Sequence, residues 1–284
     1  MDDREDLITE YEAFADCYDE LMGALPYEAW GKRIVDTIEK YGISKPDRDE
    51  KDPVKAEANL VLDLACGTGT LSEYMYGAGF DVIGIDASPD MLGQALIKRD
   101  ESGSEILYLQ QDMRELDLYC TIGTVFCVCD SLNYMLSEDE LRDVFKGVHL
   151  FLQKDGLFIF DINTDHKYRE ALGDRVFASA GEETSYIWEN SYNTDDCTNE
   201  YRLSMFILND EGTYDRYDEL HIQRGYSEEQ VRKLLSGTGF EIVSMSDSDK
   251  DLLDRFPDED AKKLDQRYGD KDTERYFVVA KCIK

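Results

Sequence analysis

The sequence predicts an α/β protein: a doubly wound, mostly parallel sheet with helices on both faces, interrupted late in the chain by an antiparallel β insertion. Three observations carry this. Between residues 59 and 161, short apolar runs alternate with stretches of helical periodicity, the order of a parallel sheet covered on both faces. The first run ends in Ala65-Cys66-Gly67-Thr68-Gly69 and opens at once into a helix, as a strand–turn–helix unit does. Residues 186–224 then change character, to long aromatic-rich runs, the last two joined by Asn209-Asp210-Glu211-Gly212, a hairpin signal.

The elements follow in order. Leu7, Tyr11, Phe14, Tyr18, Leu21 and Met22 recur at spacings of three and four, and after Pro26 the pattern resumes at Tyr27, Trp30, Ile34 and Ile38; this predicts helix over 7–41. Residues 44–58, with Pro46, Pro53 and many charges, read as a linker. Strands are expected at Asn59–Leu64, Phe80–Ile85, Glu105–Leu109, Ile122–Val128 and Gly156–Asp161. Helices are expected at Thr70–Gly77, at Ser88–Arg99 with Ser88 as cap and Pro89 at its first position, and at Glu138–Leu152 capped by Ser137. In the insertion, Tyr186–Tyr192, Glu200–Leu208 and Thr213–Arg224 read as strands. Ser227 caps a helix to Leu235, strands follow at Phe240–Met245 and Tyr276–Ile283, and the acidic segment 246–274 is loop with a helix. The expected domains are 1–174 with 225–284, and 175–224 as a cap, acceptor or dimer surface.

Charge narrows the partners. The 284 residues carry 31 Lys and Arg against 63 Asp and Glu, a net charge of −32. Such a field repels nucleic acid and anionic membranes, and no basic cluster offsets it. The acidic start, with no apolar run behind it, is not a signal peptide, and no apolar stretch is long enough to span a bilayer. The seven cysteines have scattered spacings and no C-x-x-C pair, which reads as free thiols in a cytoplasmic protein without a metal. Cys127 and Cys129 are expected on one strand face. A monomer or homodimer is expected.

The chemistry concentrates in one motif, Val61-Leu-Asp63-Leu-Ala65-Cys-Gly67-Thr-Gly69. Glycine lets the backbone turn sharply and a ligand approach closely. Asp86, closing the second strand, is placed to accept ribose hydroxyls. Gly67 and Gly69 fit a dinucleotide fingerprint, but Ser72 stands at its third glycine and Asp63 would repel a pyrophosphate. Asp63 suits an ammonium group instead. A nucleoside with an ammonium, a carboxylate and no phosphate is S-adenosylmethionine, the expected cofactor. After the third strand, Asp112 is placed for an adenine amino group and Met113 for the ring; after the fourth, Asn133 and Tyr134 can line a methyl channel.

On Val61–Gly69, Val82–Asp86 and Gln111–Met113 the sequence resembles the class I S-adenosylmethionine-dependent methyltransferases, with a Rossmann-like sheet. Tyr11–Met22, Asp130–Tyr134, Tyr186–Glu189 and Tyr217–Arg224 carry a closer resemblance, over nearly the whole chain, to the YqeM-like methyltransferases, a group itself named mostly by homology. Ala65 replaces the first glycine of the broad family's motif. The resemblance implies a seven-stranded sheet with its last strand antiparallel and a cofactor over Gly67, Asp86 and Asp112. Expected cofactor contacts are Tyr18, Asp63, Ala65, Gly67, Gly69, Asp86, Ala87, Met91, Asp112, Met113, Asp130 and Ser131. Tyr18 enters because an N-terminal helix closes over the cofactor in related enzymes.

The insertion bears on the methyl acceptor. Alternation puts Tyr217, Glu219, His221 and Gln223 on one strand face and Leu220 and Ile222 on the other. The polar face, laid over the strand tips, would suit a small polar acceptor. His221, Glu219 and Tyr134 are the catalytic candidates, and Asn133, Tyr134, His166, Trp188 and Tyr217 the acceptor-pocket candidates. Competing readings are a cofactor-binding protein that acts through a partner, a protein or RNA methyltransferase, and a nicotinamide oxidoreductase.

Overall fold

The computed structural model describes Ala15, Tyr18, Asp19 and residues 26–209, 211–248 and 273–284. The expected helix over 7–25, those three residues apart, and most of the acidic segment 246–274 lie outside the described residues.

Helix α1 (Tyr27–Tyr41) leads into α2 (Pro53–Asn59), β1 (Leu60–Leu64), α3 (Thr70–Gly77), β2 (Asp81–Asp86), α4 (Pro89–Ser102) and β3 (Leu107–Gln110). Then come β4 (Ile122–Cys127), α5 (Glu138–Phe151) and β5 (Leu152–Asn163). The strands pair in the order β3-β2-β1-β4-β5 with β11 (Arg275–Cys282) and β10 (Phe240–Asp247) beyond β5. β11 is antiparallel to both its neighbours and the other pairings are parallel. The strand order reverses between β1 and β4, which opens a crevice at their C-terminal ends.

Both faces of the sheet are covered because successive side chains point opposite ways. Leu62, Leu64, Ile83, Ile85, Val125 and Phe158 pack with Leu141, Val144 and Phe145 of α5 and with Val231 and Leu234 of α6 (Glu228–Gly237). Val61, Val82, Phe126 and Ile159 pack on the other face with Ile34 and Ile38 of α1 and Leu71 and Met75 of α3. Each such side chain contributes about 1.5–3 kcal/mol on burial. The predicted caps form: Ser88 accepts from the Met91 N–H, and Ser137 makes a capping box with Glu140.

The linker reading of 44–58 needs correction. Asp52 accepts from the Val54 and Lys55 N–H groups, Pro53 takes the first helical position, and α2 results. It seats directly on β4: a Cβ on Gly123 would stand 1.8 Å from the Ala58 carbonyl oxygen. β5 starts four residues before its expected Gly156, at Leu152.

A second, antiparallel sheet runs β6 (Val176–Ala180), β7 (Thr184–Asn193), β8 (Thr198–Leu208) and β9 (Tyr214–Arg224). β6 was not expected; it is mostly exposed, so no apolar alternation marks it. The sheet rejoins the core at Gly225, where an added Cβ would meet the Asp165 backbone at 2.6 Å. Among the described residues no helix is long and apolar enough to cross a membrane.

Candidate active site

The crevice holds a cavity of about 900 Å³. Three walls frame it: the tips of β1 and β2 with the Gly-rich turn, the start of α4 with the loop after β3, and the loop after β4 together with β9.

The first wall is acidic. Asp63 is 2% exposed, and its Oδ2 accepts from the Ser72 hydroxyl at 2.6 Å. Burial pushes its carboxyl up to about 7, against the lowering effect of that bond. Asp86 is fixed at both oxygens: Oδ2 accepts from the Gly67 N–H at 2.8 Å and Oδ1 from the Ser88 N–H at 2.9 Å. Burial raises this carboxyl too, and the backbone N–H groups oppose it. The turn needs left-handed backbone at Ala65 (φ 61°), Gly67 (φ 54°) and Gly69 (φ 75°). Ala65 takes a conformation that costs an ordinary residue about 1–2 kcal/mol. A Cβ on Gly67 would meet nothing within 4 Å, so the turn's backbone is open to a ligand there.

Tyr18 reaches the cavity from the N-terminal segment. Its neighbour Asp19 accepts from the Thr68 hydroxyl at 2.7 Å and pairs with Lys98 at 2.5 Å, while Lys98 also donates to Thr70 at 2.7 Å. This latch joins Asp19 to the Gly-rich turn. On the second wall, Arg114 holds Asp112 through Nε to Oδ1 at 2.9 Å and reaches Glu140 at 3.1 Å. The guanidinium keeps the Asp112 carboxyl below its ordinary range.

The third wall rests on two consecutive left-handed residues, Cys129 (φ 64°) and Asp130 (φ 52°). Their N–H groups donate to Asp161 at 3.2 and 2.8 Å, and Arg275 bridges Asp161 at 3.1 Å and Asp130 at 3.3 Å. The loop so held presents Ser131, Tyr134, Met135 and Leu136 to the cavity, opposite Leu220 and Ile222 of β9. Behind them lies a buried polar chain. The Tyr134 hydroxyl is 2.9 Å from His221 Nδ1 and 3.1 Å from the Tyr201 hydroxyl, and His221 Nε2 is 2.9 Å from Glu219 Oε2. The Tyr201 ring stacks on the His221 ring at 4.7 Å. Glu219 and His221 are 0% and 1% exposed.

Of the expected cofactor contacts, Tyr18, Asp63, Ala65, Gly67, Asp86, Ala87, Met91, Asp112, Met113 and Ser131 line this one cavity. Two do not. Gly69 is the residue preceding α3, with the Tyr108 hydroxyl 2.4 Å from where its Cβ would be. Asp130 turns inward, accepting from Gln223 at 2.9 Å beside Arg275.

Fewer of the acceptor candidates are on the lining. Only Tyr134 is on the wall. Asn133 is fully buried, donating to the Asn163 and Arg224 carbonyls at 3.0 and 2.7 Å and accepting from the Asn163 N–H. His166 precedes the helical turn Lys167–Leu172, off the cavity. Trp188 and Tyr217 join Ala15, Met91, Leu203 and Met205 in an apolar cluster that seats the second sheet on α4 and the N-terminal segment. Glu219 and His221 sit behind Tyr134, and Leu220 and Ile222 are the β9 residues on the lining. Cys129 lies past the end of β4, so it does not share a strand face with Cys127. Sequence reasoning missed Tyr27, Arg114, Leu136, Leu220 and Ile222 as lining residues; the Leu220–Ile222 alternation was the available signal.

The residues fit a nucleoside that carries an ammonium and no phosphate. A buried acid stands on the first wall, a second acid is oriented by two N–H groups, and Arg114, the cation on the lining, is already engaged by Asp112 and Glu140. A pyrophosphate would face Asp63 and Asp86 without a compensating charge.

Comparison with known proteins agrees. Residues 61–156 match the family model described as a methyltransferase domain. The protein named "Putative methyltransferase YqeM" of Bacillus subtilis (strain 168) is 34% identical over 255 residues, covering 89% of this chain and 94% of that one. The chain belongs to the S-adenosylmethionine-dependent methyltransferases. A crystal structure of a family member from Clostridium acetobutylicum ATCC 824 is 29% identical, with a TM-score of 0.77 over 96% of this chain and 99% of that one. A glycine/sarcosine N-methyltransferase of Parasynechococcus marenigrum (strain WH8102) is 27% identical over 202 residues, covering 69% of this chain and 68% of that one. The methyltransferase's cofactor is S-adenosylmethionine, and the doubly wound sheet with its antiparallel β11 is the family's fold.

Proposed function

We propose that this methyltransferase acts on a small molecule whose nucleophile, an amine or a hydroxyl, sits on a largely apolar body. The observation that carries the reading is one cavity that joins the Asp63 and Asp86 wall to Leu136, Leu220 and Ile222, with Ser131 and Tyr134 beside them. When bound, the cofactor supplies an activated methyl group on a sulfonium. Asp63 is assigned to its ammonium, Asp86 to its ribose, and Asp112 and Met113 to its adenine. β9 and Tyr18 position the acceptor, and positioning of this kind supplies much of a transfer's acceleration. The amine option draws on the relative named for glycine and sarcosine N-methylation. The strands of 175–224 act in this reading as a cap over the domain formed by 1–174 and 225–284. Free thiols at all the described cysteines favour the cytoplasm as its compartment.

The test is calorimetric titration with S-adenosylmethionine and, separately, NADH, followed by an assay of S-adenosylhomocysteine release with primary amines, secondary amines and phenols. Binding of S-adenosylmethionine alone, with release driven by members of this panel, is expected. Cofactor binding with release only on added protein or RNA would refute the small-acceptor reading.

A further inference from the structure

We propose that Tyr134 takes a proton from the methyl acceptor and that His221 and Glu219 are the positioning residues that make it able to, so that the second sheet supplies the reaction's proton path. This rests on the reading of a small amine or hydroxyl acceptor.

The chain of contacts sets the direction. In this proposal Glu219 accepts at 2.9 Å, as a carboxylate does, and the imidazole proton is on Nε2. That leaves His221 Nδ1 bare, and the Tyr134 hydroxyl at 2.9 Å donates to it. Tyr134 lines the cavity, and its hydroxyl also lies 3.1 Å from that of Tyr201. The stacked Tyr201 ring fixes the imidazole plane. A fully buried Glu–His pair on the strand of a cap needs a reason, because burying polar and ionisable groups costs several kcal/mol. Seating the second sheet does not require it: the Tyr217, Leu203 and Met205 cluster and the bond from Gln223 to Asp130 already hold that face.

The step balances. The acceptor's nitrogen or oxygen forms a bond to the methyl carbon, and the carbon–sulfur bond breaks with its electron pair going to sulfur. The proton lost by the acceptor goes to Tyr134 Oη as the Tyr134 proton goes to His221 Nδ1. The resulting imidazolium is held by Glu219 and returns its proton to solvent after product leaves.

The experiment has two readouts. In the first, the imidazole nitrogens are observed by ¹⁵N NMR in the protein bound to S-adenosylhomocysteine. The chain has 3 His, so His149→Gln and His166→Gln assign the signals. His221 is expected with Nε2 protonated and Nδ1 bare, and Tyr134→Phe is expected to move the Nδ1 signal alone. A proton on Nδ1, or no response to Tyr134→Phe, would overturn the proposal. In the second, product release is measured with the panel of primary amines, secondary amines and phenols. Tyr134→Phe is expected to lower kcat by about 100-fold, with the affinity for S-adenosylhomocysteine unchanged within about twofold. Glu219→Gln, which keeps the buried shape, is expected to lower kcat about tenfold without changing that affinity. Full turnover by Tyr134→Phe would overturn the relay alone. Absence of release by the wild type across the panel, with the cofactor still bound, would overturn the acceptor class and the relay together. Failure of the wild type to bind S-adenosylhomocysteine would instead refute the cofactor assignment. If Glu219→Gln does not fold, Tyr134→Phe and the NMR signal decide.

Discussion

The two ends of the crevice are built in opposite ways. At the cofactor end, Asp63, Ala65, Gly67 and Asp86 come from two adjacent parallel strands and the turn after the first, and two hydrogen bonds, from the Gly67 N–H to Asp86 and from the Cys66 N–H to the Ile85 carbonyl, tie the turn to the end of the second strand. At the acceptor end, Tyr134 follows β4 while His221 and Glu219 come from β9, a strand of another sheet. The four residues of the cofactor end are in place once β1 and β2 pair. The acceptor end exists only when the second sheet docks through Gln223 to Asp130 and through the Trp188 and Tyr217 cluster to Met91. On the proposed assignments, binding and proton handling are separable by substitution, and each prediction below breaks one end without the other.

The largest effect is expected from Asp86→Ala. Loss of two charge-assisted bonds to a ribose, together with a loosened turn, lowers affinity by about 3 kcal/mol, on the order of 100-fold, by calorimetry. Far-ultraviolet circular dichroism of this variant is expected to match the wild type, because the strand pairing does not depend on the carboxylate.

The next effect is a pH dependence at Asp63. Its carboxyl is lifted to about 7 in the free protein by burial, so below that pH a proton must leave before an ammonium can pair with it. Affinity is expected to rise about tenfold per pH unit below 7 and to level off above it, with a proton released on binding. Asp63→Asn should bind weakly at all pH values and lose the slope. Without ligand the sign reverses. A carboxyl raised from 3.8 to about 7 gives stability that is present below 3.8 and lost as pH rises through 7, so the free wild type should lose thermal stability across that window relative to Asp63→Asn.

The smallest effect is expected at the latch. The Lys98–Asp19 pair is partly exposed, with side chains 27% and 45% accessible, and such pairs contribute about 0–1 kcal/mol. Lys98→Ala should weaken cofactor binding by no more than about fivefold. A larger loss would mean that the Lys98–Asp19 pair contributes more to the cofactor end than its exposure implies.

This contrast also explains what the sequence disclosed. The seven-stranded sheet was legible because its strands and helices alternate with short connections, each with its own periodicity, and because Ser88, Ser137 and Ser227 cap helices where local chemistry says they should. The first wall was legible for the same reason: a strand, a turn and a helix adjacent in sequence. β9 was legible only in part. Its alternation sorted Glu219 and His221 from Leu220 and Ile222 correctly, but which face meets the cavity is set by docking against residues about ninety positions away, and no local rule contains that. Asn133 illustrates the limit at one residue. It adjoins Tyr134, yet the short helical turn Ser131–Tyr134 points it inward to satisfy the backbones of Asn163 and Arg224. β6 and α2 were missed for different reasons, the first because exposure erases its pattern and the second because the Asp52-Pro53 start signal was outweighed by surrounding charge.

The division between the two ends is tested most directly by titrating S-adenosylhomocysteine into Asp86→Ala and Tyr134→Phe side by side. Separable ends predict that binding falls on the order of 100-fold in Asp86→Ala and stays at the wild-type level in Tyr134→Phe. Equal losses in the two variants, or a loss in Tyr134→Phe alone, would contradict it and make the crevice a single cooperative site.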